Sequence, residues 1–361
     1  MSEEDRKLTQ LRTLMGLSAL INSSLEAGEI RKRAIEAATR LMEAEAGSLL
    51  LVDQETKELF FEVALGARGE RVKEIRLRMG EGIAGWVAEK NQPLLIHDVQ
   101  RDPRFFAGAD QKSDFITRDM VCAPVRAKER TLGVLQAINK KEGKFVPDDL
   151  EIFRTLADQV ASAIENANLY EELRETFYGT AMALAESLEK RDPYTAGHTR
   201  RVSRYSEAIG SRVGLSRQEL ETLKLSAILH DVGKIGVRDN VLLKHASLEA
   251  EELEAMGNHP QYGAEILRHV RQLKDVIPGV RSHHEKYDGT GYPDRLRGEE
   301  IPQNARIIAV ADTFDAMTTD RPYRKALSFK TAIGELHSCS GTQFDPSFVE
   351  FFCQAYDEGE I

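Results

Sequence analysis

The side chains best suited to chemistry are histidines and aspartates gathered in the C-terminal half: His198, His230-Asp231, His259, His283-His284 and Asp312. Imidazole and carboxylate are donors that divalent transition metals favour, and adjacent pairs let neighbouring residues serve neighbouring ions. Seven candidates are too many for one tetrahedral ion. They predict a two-metal site, the arrangement that hydrolyses phosphate esters by clamping the attacking and leaving oxygens. One histidine on an apolar helix is usually a satisfied core residue. His-Asp, His-His and two further histidines in one helical region, followed by glycine-rich turns, are not readily produced by chance. His245, His269 and His337 fall outside the pattern and are read as surface or structural residues.

These residues need helices to hold them. Gln218 to Leu229 carries Leu220, Leu223, Leu225 and Ile228 at helical spacing and delivers His230-Asp231 at its C-terminal end. Ile301 to Thr318 reads as a second helix, with Asp312 projecting inward among Ile307, Ile308, Val310 and Ala311. A carboxylate in such company is rarely on the surface and should be paired with a metal. No strand pattern follows Asp192.

The first 145 residues alternate in character. Leu11 to Leu25, Ile30 to Met42 and Gly82 to Glu89 read as helices; Gly47 to Val52 and Leu59 to Ala64 read as a β-hairpin. Further strands are expected at Pro93 to Ile96, Met120 to Val125 and Gly133 to Ile138. This region holds one histidine, His97, and no catalytic cluster, so it reads as a ligand pocket or scaffold. Between Pro147 and Pro193 there is no proline, Asp148 or Asp149 can cap, and one long helix is expected over 148–190. Two seven-residue series run along it: Leu156, Ala163, Tyr170, Phe177, Leu184, and Phe153, Val160, Ala167, Arg174, Ala181, Leu188. Either its front half packs on the first domain and its back half on the second, or it forms a parallel coiled coil in a homodimer, favoured around Tyr170 to Phe177.

At 361 residues the chain is expected to form two domains, and its 41% hydrophobic and 30% charged composition fits a folded globular protein. A formal net charge of −10 argues against a nucleic-acid polymer as partner. Cys122, Cys339 and Cys353 form no CxxC pair and read as reduced thiols. No secretion signal or membrane span is expected, which points to the cytoplasm.

The N-terminal region resembles a GAF domain, a family of small-molecule and dimerisation sensors, over residues 12–170. The matching stretches are Gly80-Glu-Gly-Ile-Ala-Gly-Trp-Val-Ala, Asp102-Pro-Arg-Phe, Gly133-Val-Leu-Gln-Ala-Ile-Asn-Lys and Leu156-Ala-Asp-Gln. The resemblance implies an α/β fold, an antiparallel sheet flanked by helices, with a pocket for a small-molecule ligand. Cyclic-nucleotide-binding members carry Asn-Lys, Phe and Asp-Glu; here Leu150 follows Asp149 where Glu belongs, so Asn139, Lys140 and Phe145 are read as structural.

Residues 175–355 resemble an HD-GYP domain, an all-α subgroup of metal-dependent HD phosphohydrolases acting on cyclic di-GMP. The resemblance is carried by His283-His-Glu-Lys-Tyr-Asp-Gly-Thr-Gly-Tyr-Pro293 and by Arg191-Asp-Pro-Tyr-Thr-Ala-Gly-His198, His230-Asp-Val-Gly-Lys234, His259-Pro, Asp312 and Arg321-Pro-Tyr-Arg324. It implies that His198, His230, Asp231, His259, His283, His284 and Asp312 ligate two divalent ions, iron or manganese, with Asp231 as the bridging, catalytic carboxylate. Members with three metals place Glu four residues before the first ligand histidine, where this chain has Tyr194. Two ions are therefore expected.

Lys234 is assigned to a non-bridging phosphate oxygen or the leaving 3′ oxygen, against a reading as a solvated lysine at a helix end. Arg321 and Arg324 offer forked donors for the second phosphate or a guanine edge. Gly289, Gly291, Tyr292 and Pro293 form a rim turn whose glycines permit positive φ, with Tyr292 as a wall. The implied reaction is hydrolysis of cyclic di-GMP to pGpG, GMP or both, adjusted by the GAF sensor. The alternatives are a silent module that binds cyclic di-GMP or a diguanylate cyclase, and an HD hydrolase acting on a nucleotide monophosphate or another cyclic dinucleotide.

Overall fold

A computed structural model describes residues 15–16, 26–65, 69–128, 130–191, 197–244, 246–320 and 325–361. Of the expected helix over 11–25, only Met15 and Gly16 are described, and both are helical; the rest lies outside the described residues. The chain divides into two compact units, Met1–Arg174 and Glu175–Ile361.

In the first unit α1 (Ala27–Leu41) precedes β1 (Ala44–Val52), β2 (Glu58–Leu65) and β3 (Arg76–Arg78). Next come α2 (Gly82–Lys90), β4 (Leu94–Ile96), α3 (Gly108–Ser113), β5 (Met120–Ala127) and β6 (Arg130–Lys140). The strands form one antiparallel sheet in the order β3-β2-β1-β6-β5-β4. The expected hairpin is present, with Leu49 opposite Val63. β3 escaped the sequence reading because in Arg76-Leu-Arg only Leu77 is buried, too short a run to show a period.

Both faces of the central strands are covered, which is why they read as continuous apolar runs. Leu49, Val121 and Leu135 face a core shared with α1, whereas Leu50, Cys122 and Val134 face one shared with α2. A cavity of about 110 Å³ opens beside the second core, lined by Phe61, Leu77, Phe106, Met120 and Ile138, with Ser48, Asp110, Ser113, Thr117 and Gln136 among its polar members. Ser48 Oγ donates to Gln136 Oε1 at 2.8 Å. Asn139 Oδ1 accepts from the Arg118 amide at 2.7 Å, and Lys140 forms a buried ion pair with Asp149 beside buried Phe145. All three residues work inside the scaffold.

α4 (Pro147–Glu189) is the expected long helix, 43 residues in length. Phe153, Leu156, Val160, Ala163 and Ala167 are buried in the first unit's core, and Ala181 and Ala185 in a core of the second. The front half thus packs on its own unit. Leu169, Tyr170 and Leu173 lie between these sets and are 50%, 47% and 67% exposed.

The second unit is helical: α5 (His198–Val213), α6 (Arg217–Leu229), a 3-10 turn (Val232–Gly236), α7 (Asp239–Leu242) and α8 (Ala250–Gly257). It continues through α9 (His259–Leu267), α10 (Ile277–Ser282), α11 (Gln303–Thr318), α12 (Phe329–Ser338) and α13 (Pro346–Asp357). No strand occurs among its described residues, only an isolated bridge between Ser340 and Phe344. A Ser216–Glu219 capping box starts α6. α11 begins at Gln303, after Pro302. Its Ile307, Ile308, Val310, Ala311 and Phe314 are buried with Val202, Tyr205 and Phe352, making it the central helix of this unit.

Candidate metal centre

Helix ends deliver most of the seven side chains. His198 and His259 open α5 and α9; His230 and His283 follow the last residues of α6 and α10, with Asp231 and His284 next in line. Asp312 alone lies mid-helix, in α11. Helix ends let side chains from several directions converge without breaking a hydrogen-bond ladder. Gly233 brings the Asp231 segment onto α9: a Cβ there would stand 1.9 Å from the His259 carbonyl oxygen.

The structure brings all seven residues together. Candidate ligand atoms of His198, His230 and Asp312, of His259, His283 and His284, and of His230, Asp231 and His283 lie within 4.8 Å of one another in each group. Asp231 stands between the two ends, with Oδ2 3.5 Å from His230 Nε2 and Oδ1 3.3 Å from His259 Nε2. His198 Nε2 lies 3.5 Å from Asp312 Oδ1.

Hydrogen bonds fix the imidazole tautomers. Nδ1 of His230, His259 and His283 each stands 2.7 Å from a backbone carbonyl three residues back, of Ala227, Met256 and Val280. His198 Nδ1 stands 2.8 Å from Asp315 Oδ2. Carbonyl and carboxylate oxygens only accept, so each Nδ1 carries the proton and, in the neutral ring, each Nε2 presents a lone pair. Yet His198 Nε2 and His230 Nε2 are 3.2 Å apart, and His259 Nε2 and His283 Nε2 3.3 Å. Facing lone pairs repel at that distance; a cation drawing on both removes the conflict. The donor set therefore fits divalent metal at both ends of the cluster.

For His230, His283 and His284 the electrostatics agree. Burial, aided by neighbouring imidazoles, pushes His283 well below its ordinary value and His284 down to about 3; burial also lowers His230. Neutral imidazole is the ligand form. Burial opposes charge on His198, but Asp315, Asp312 and Asp231 outweigh it and raise its pKa. Asp231 sits well below the carboxylate range despite its burial, because Lys234 and the imidazoles favour its charge.

Lys234 Nζ is 2.5 Å from Asp231 Oδ2, which places it at the centre and not at a solvated helix end. The Tyr292 ring packs on His284, centroids 5.1 Å apart, as a wall, and burial raises its phenol to about 12. Gly289 has the positive φ expected of the turn, +83°. Gly291 does not; it is needed for close approach, since a Cβ there would stand 2.2 Å from the Lys286 amide nitrogen. Arg321, Arg324 and Tyr194 lie outside the described residues. So does His245, whereas His269 and His337 take no part in the cluster.

Sequence reasoning missed four residues. Asp315 receives His198 and is held by Arg201, whose Nη2 donates to it at 3.1 Å. Buried Glu285 accepts from the amides of Asp294 at 2.6 Å and Leu296 at 3.1 Å, holding the rim turn. Glu189 accepts from the amides flanking His198. Asp315 follows Asp312 by three positions on one helix, a spacing that puts both on one face and could have drawn attention to it. Nothing local marks the others.

The family described as an HD domain matches residues 182–348, and that described as a GAF domain matches residues 26–164. The chain is similar to 3′3′-cGAMP-specific phosphodiesterase 2 of Vibrio cholerae, 37% identical over 58% of this chain and 41% of that one. It is also similar to the cyclic di-GMP phosphodiesterase response regulator RpfG of Xanthomonas campestris, 39% identical over 50% of this chain and 48% of that one. A cyclic di-GMP phosphodiesterase of Thermotoga maritima is 40% identical over 47% of each chain. The chain thus spans about half the length of the curated relatives it matches. These matches and the architecture identify a GAF domain at residues 26–164 joined by a long helix to an HD domain at residues 182–348.

Proposed function

We propose that this chain is a metal-dependent cyclic di-GMP phosphodiesterase, yielding pGpG, GMP or both, whose rate is adjusted by the GAF domain. The observation that carries the reading is the doubled set of facing imidazole lone pairs with Asp231 between them. Two divalent cations there, iron or manganese, would make hydroxide available near neutral pH and neutralise charge growing on the phosphoryl oxygens. His198, His230 and Asp312 would hold one, and His259, His283 and His284 the other, with Asp231 shared. Lys234 is proposed to meet a phosphate oxygen or the departing 3′ oxygen once Asp231 turns to the cations; its pairing with Asp231 supports this. Tyr292 and Gly291 shape the rim, and Arg321 and Arg324 are proposed to grip the second phosphate or a guanine edge.

A second reading, 3′3′-cGAMP as substrate, is favoured by the relative of that specificity. The GAF cavity, about 110 Å³ and largely apolar, suits a small uncharged ligand that hydrogen-bonds Ser48 or Gln136. The exposed Leu169, Tyr170 and Leu173 support a homodimer through α4, and a diguanylate cyclase domain is a further proposed partner. Among the described residues no helix is long and apolar enough to cross a membrane, and all three cysteines are free; a cytoplasmic location is proposed.

The test is incubation of manganese- or iron-loaded protein with cyclic di-GMP, 3′3′-cGAMP and cyclic di-AMP, with products separated chromatographically. Conversion of cyclic di-GMP that stops on chelation is expected. Faster conversion of 3′3′-cGAMP would select the second reading. Binding of cyclic di-GMP without conversion by fully loaded protein would leave a silent binding module.

A further inference from the structure

We propose that Glu189, the last residue of α4, is a positioning residue for His198, so that the end of the connecting helix sets how firmly the His198 side of the centre holds its ion. This rests on the two-metal reading above. The observation behind it is an asymmetry among the histidines.

His230, His259 and His283 each bond Nδ1 to a carbonyl three residues earlier. For His230 and His283 that carbonyl lies in their own helix; for His259 it is Met256 of α8, which runs directly into α9. Their orientation is fixed by local backbone. His198 opens α5 after Gly197, which has no side chain to cap with and a φ of +71°. Its placement depends on distant carboxylates.

Asp315 holds its Nδ1 from α11. Glu189 holds the backbone on either side of it: Oε2 accepts from Gly197 N at 3.0 Å and Oε1 from Thr199 N at 2.6 Å. A carboxylate there satisfies two amides at the helix start and meets the positive end of the helix dipole. A shift of the end of α4 would therefore be passed to the His198 backbone through two hydrogen bonds. His230, His259 and His283 have no such link to α4 through their Nδ1 bonds.

The same stretch also touches the Asp231 segment. Two residues beyond Glu189, Arg191 donates to the carbonyls of Lys234 and Ile235 at 3.3 Å and of Val237 at 2.9 Å. Glu189, Arg191, His198, Asp231 and Lys234 line one cavity of about 20 Å³. Groups that orient metal ligands from behind typically change affinity 10–100-fold when removed. Glu189 acts one step further back, through the backbone, so the lower end of that range is expected.

The test is calorimetric titration of the full metal-free chain with Mn²⁺, as wild type, Glu189→Ala, Glu189→Gln and Glu186→Ala. Glu186 pairs with Arg200 on the exposed side of the same two helices, and it controls for a general loss of helix contact. Wild type should take up two ions. Glu189→Ala should weaken one of them roughly tenfold and leave the other unchanged. Glu189→Gln, keeping one acceptor oxygen and the side-chain length, should weaken the same ion less, and Glu186→Ala should match wild type. Equal weakening of both ions, or no weakening, in both Glu189 variants overturns the proposal. A wild-type chain that takes up no pair of ions overturns the two-metal reading and this proposal with it.

Discussion

Asp231 has one oxygen toward His230 and the other toward His259, so replacing a single atom tests both halves of the centre. Asp231→Asn removes the shared charge and should reduce turnover at least about a hundredfold with loss of bound metal; retained turnover would remove Asp231 from its role. Gly291→Ala forces a methyl onto the backbone of Glu285 and Lys286. It should destabilise the rim by about 1–3 kcal/mol and reduce affinity for cyclic dinucleotide, as thermal unfolding and KM would record. Arg321→Ala is expected to raise KM more than it lowers kcat, if the guanidinium grips ground and transition states alike. At this scale the ligands were legible because their types and adjacency in sequence advertise metal chemistry. Asp315, Glu285 and Glu189 were not, because a carboxylate that receives a distant amide or imidazole looks in sequence like any surface acid. Gly291 was recognised as a turn residue, but its reason is close approach, which only the folded neighbour reveals.

Among the elements, α4 has the most informative pattern. Its two seven-residue stripes were visible in sequence, yet most of the front stripe is spent on the GAF sheet and Ala181 on the HD core. A heptad repeat alone does not separate packing on a domain from packing on a second helix, since both need one apolar face. What remains outward is Leu169, Tyr170 and Leu173, with Leu184 further along. If Leu169, Tyr170 and Leu173 form the dimer contact, Leu169→Ser with Leu173→Ser should lower the molecular mass seen in sedimentation from that of a dimer to that of a monomer. An unchanged dimer would move the contact elsewhere. The sheet was legible as apolar runs bounded by turns. β3 and the short helices from Asp239 to Ser282 were not, because pieces of three to nine residues complete too little of a period to register.

For the whole molecule, the two units have separate cores and every proposed ligand lies after Glu175. Residues 175–361 alone should hydrolyse substrate at a rate that no GAF ligand alters. Acid should loosen the metal-free HD unit. Burial holds His230, His283 and His284 below the ordinary histidine value near 6.5, so the unfolded chain binds more protons as pH falls through that value. His198 is shifted the other way and offsets only part of this. The unfolding midpoint of the metal-free unit should therefore fall by roughly 5 °C or more between pH 7.5 and 5.5; a midpoint that holds or rises would show that these imidazoles are not held neutral.

The most direct test of the account is a crystal structure of manganese-loaded protein with anomalous difference density. Two peaks are predicted, on either side of the Asp231 carboxylate: one within ligand reach of His198, His230 and Asp312, the other of His259, His283 and His284. A single peak, a third well-occupied peak beside Tyr194, or two peaks that do not share Asp231 would contradict it.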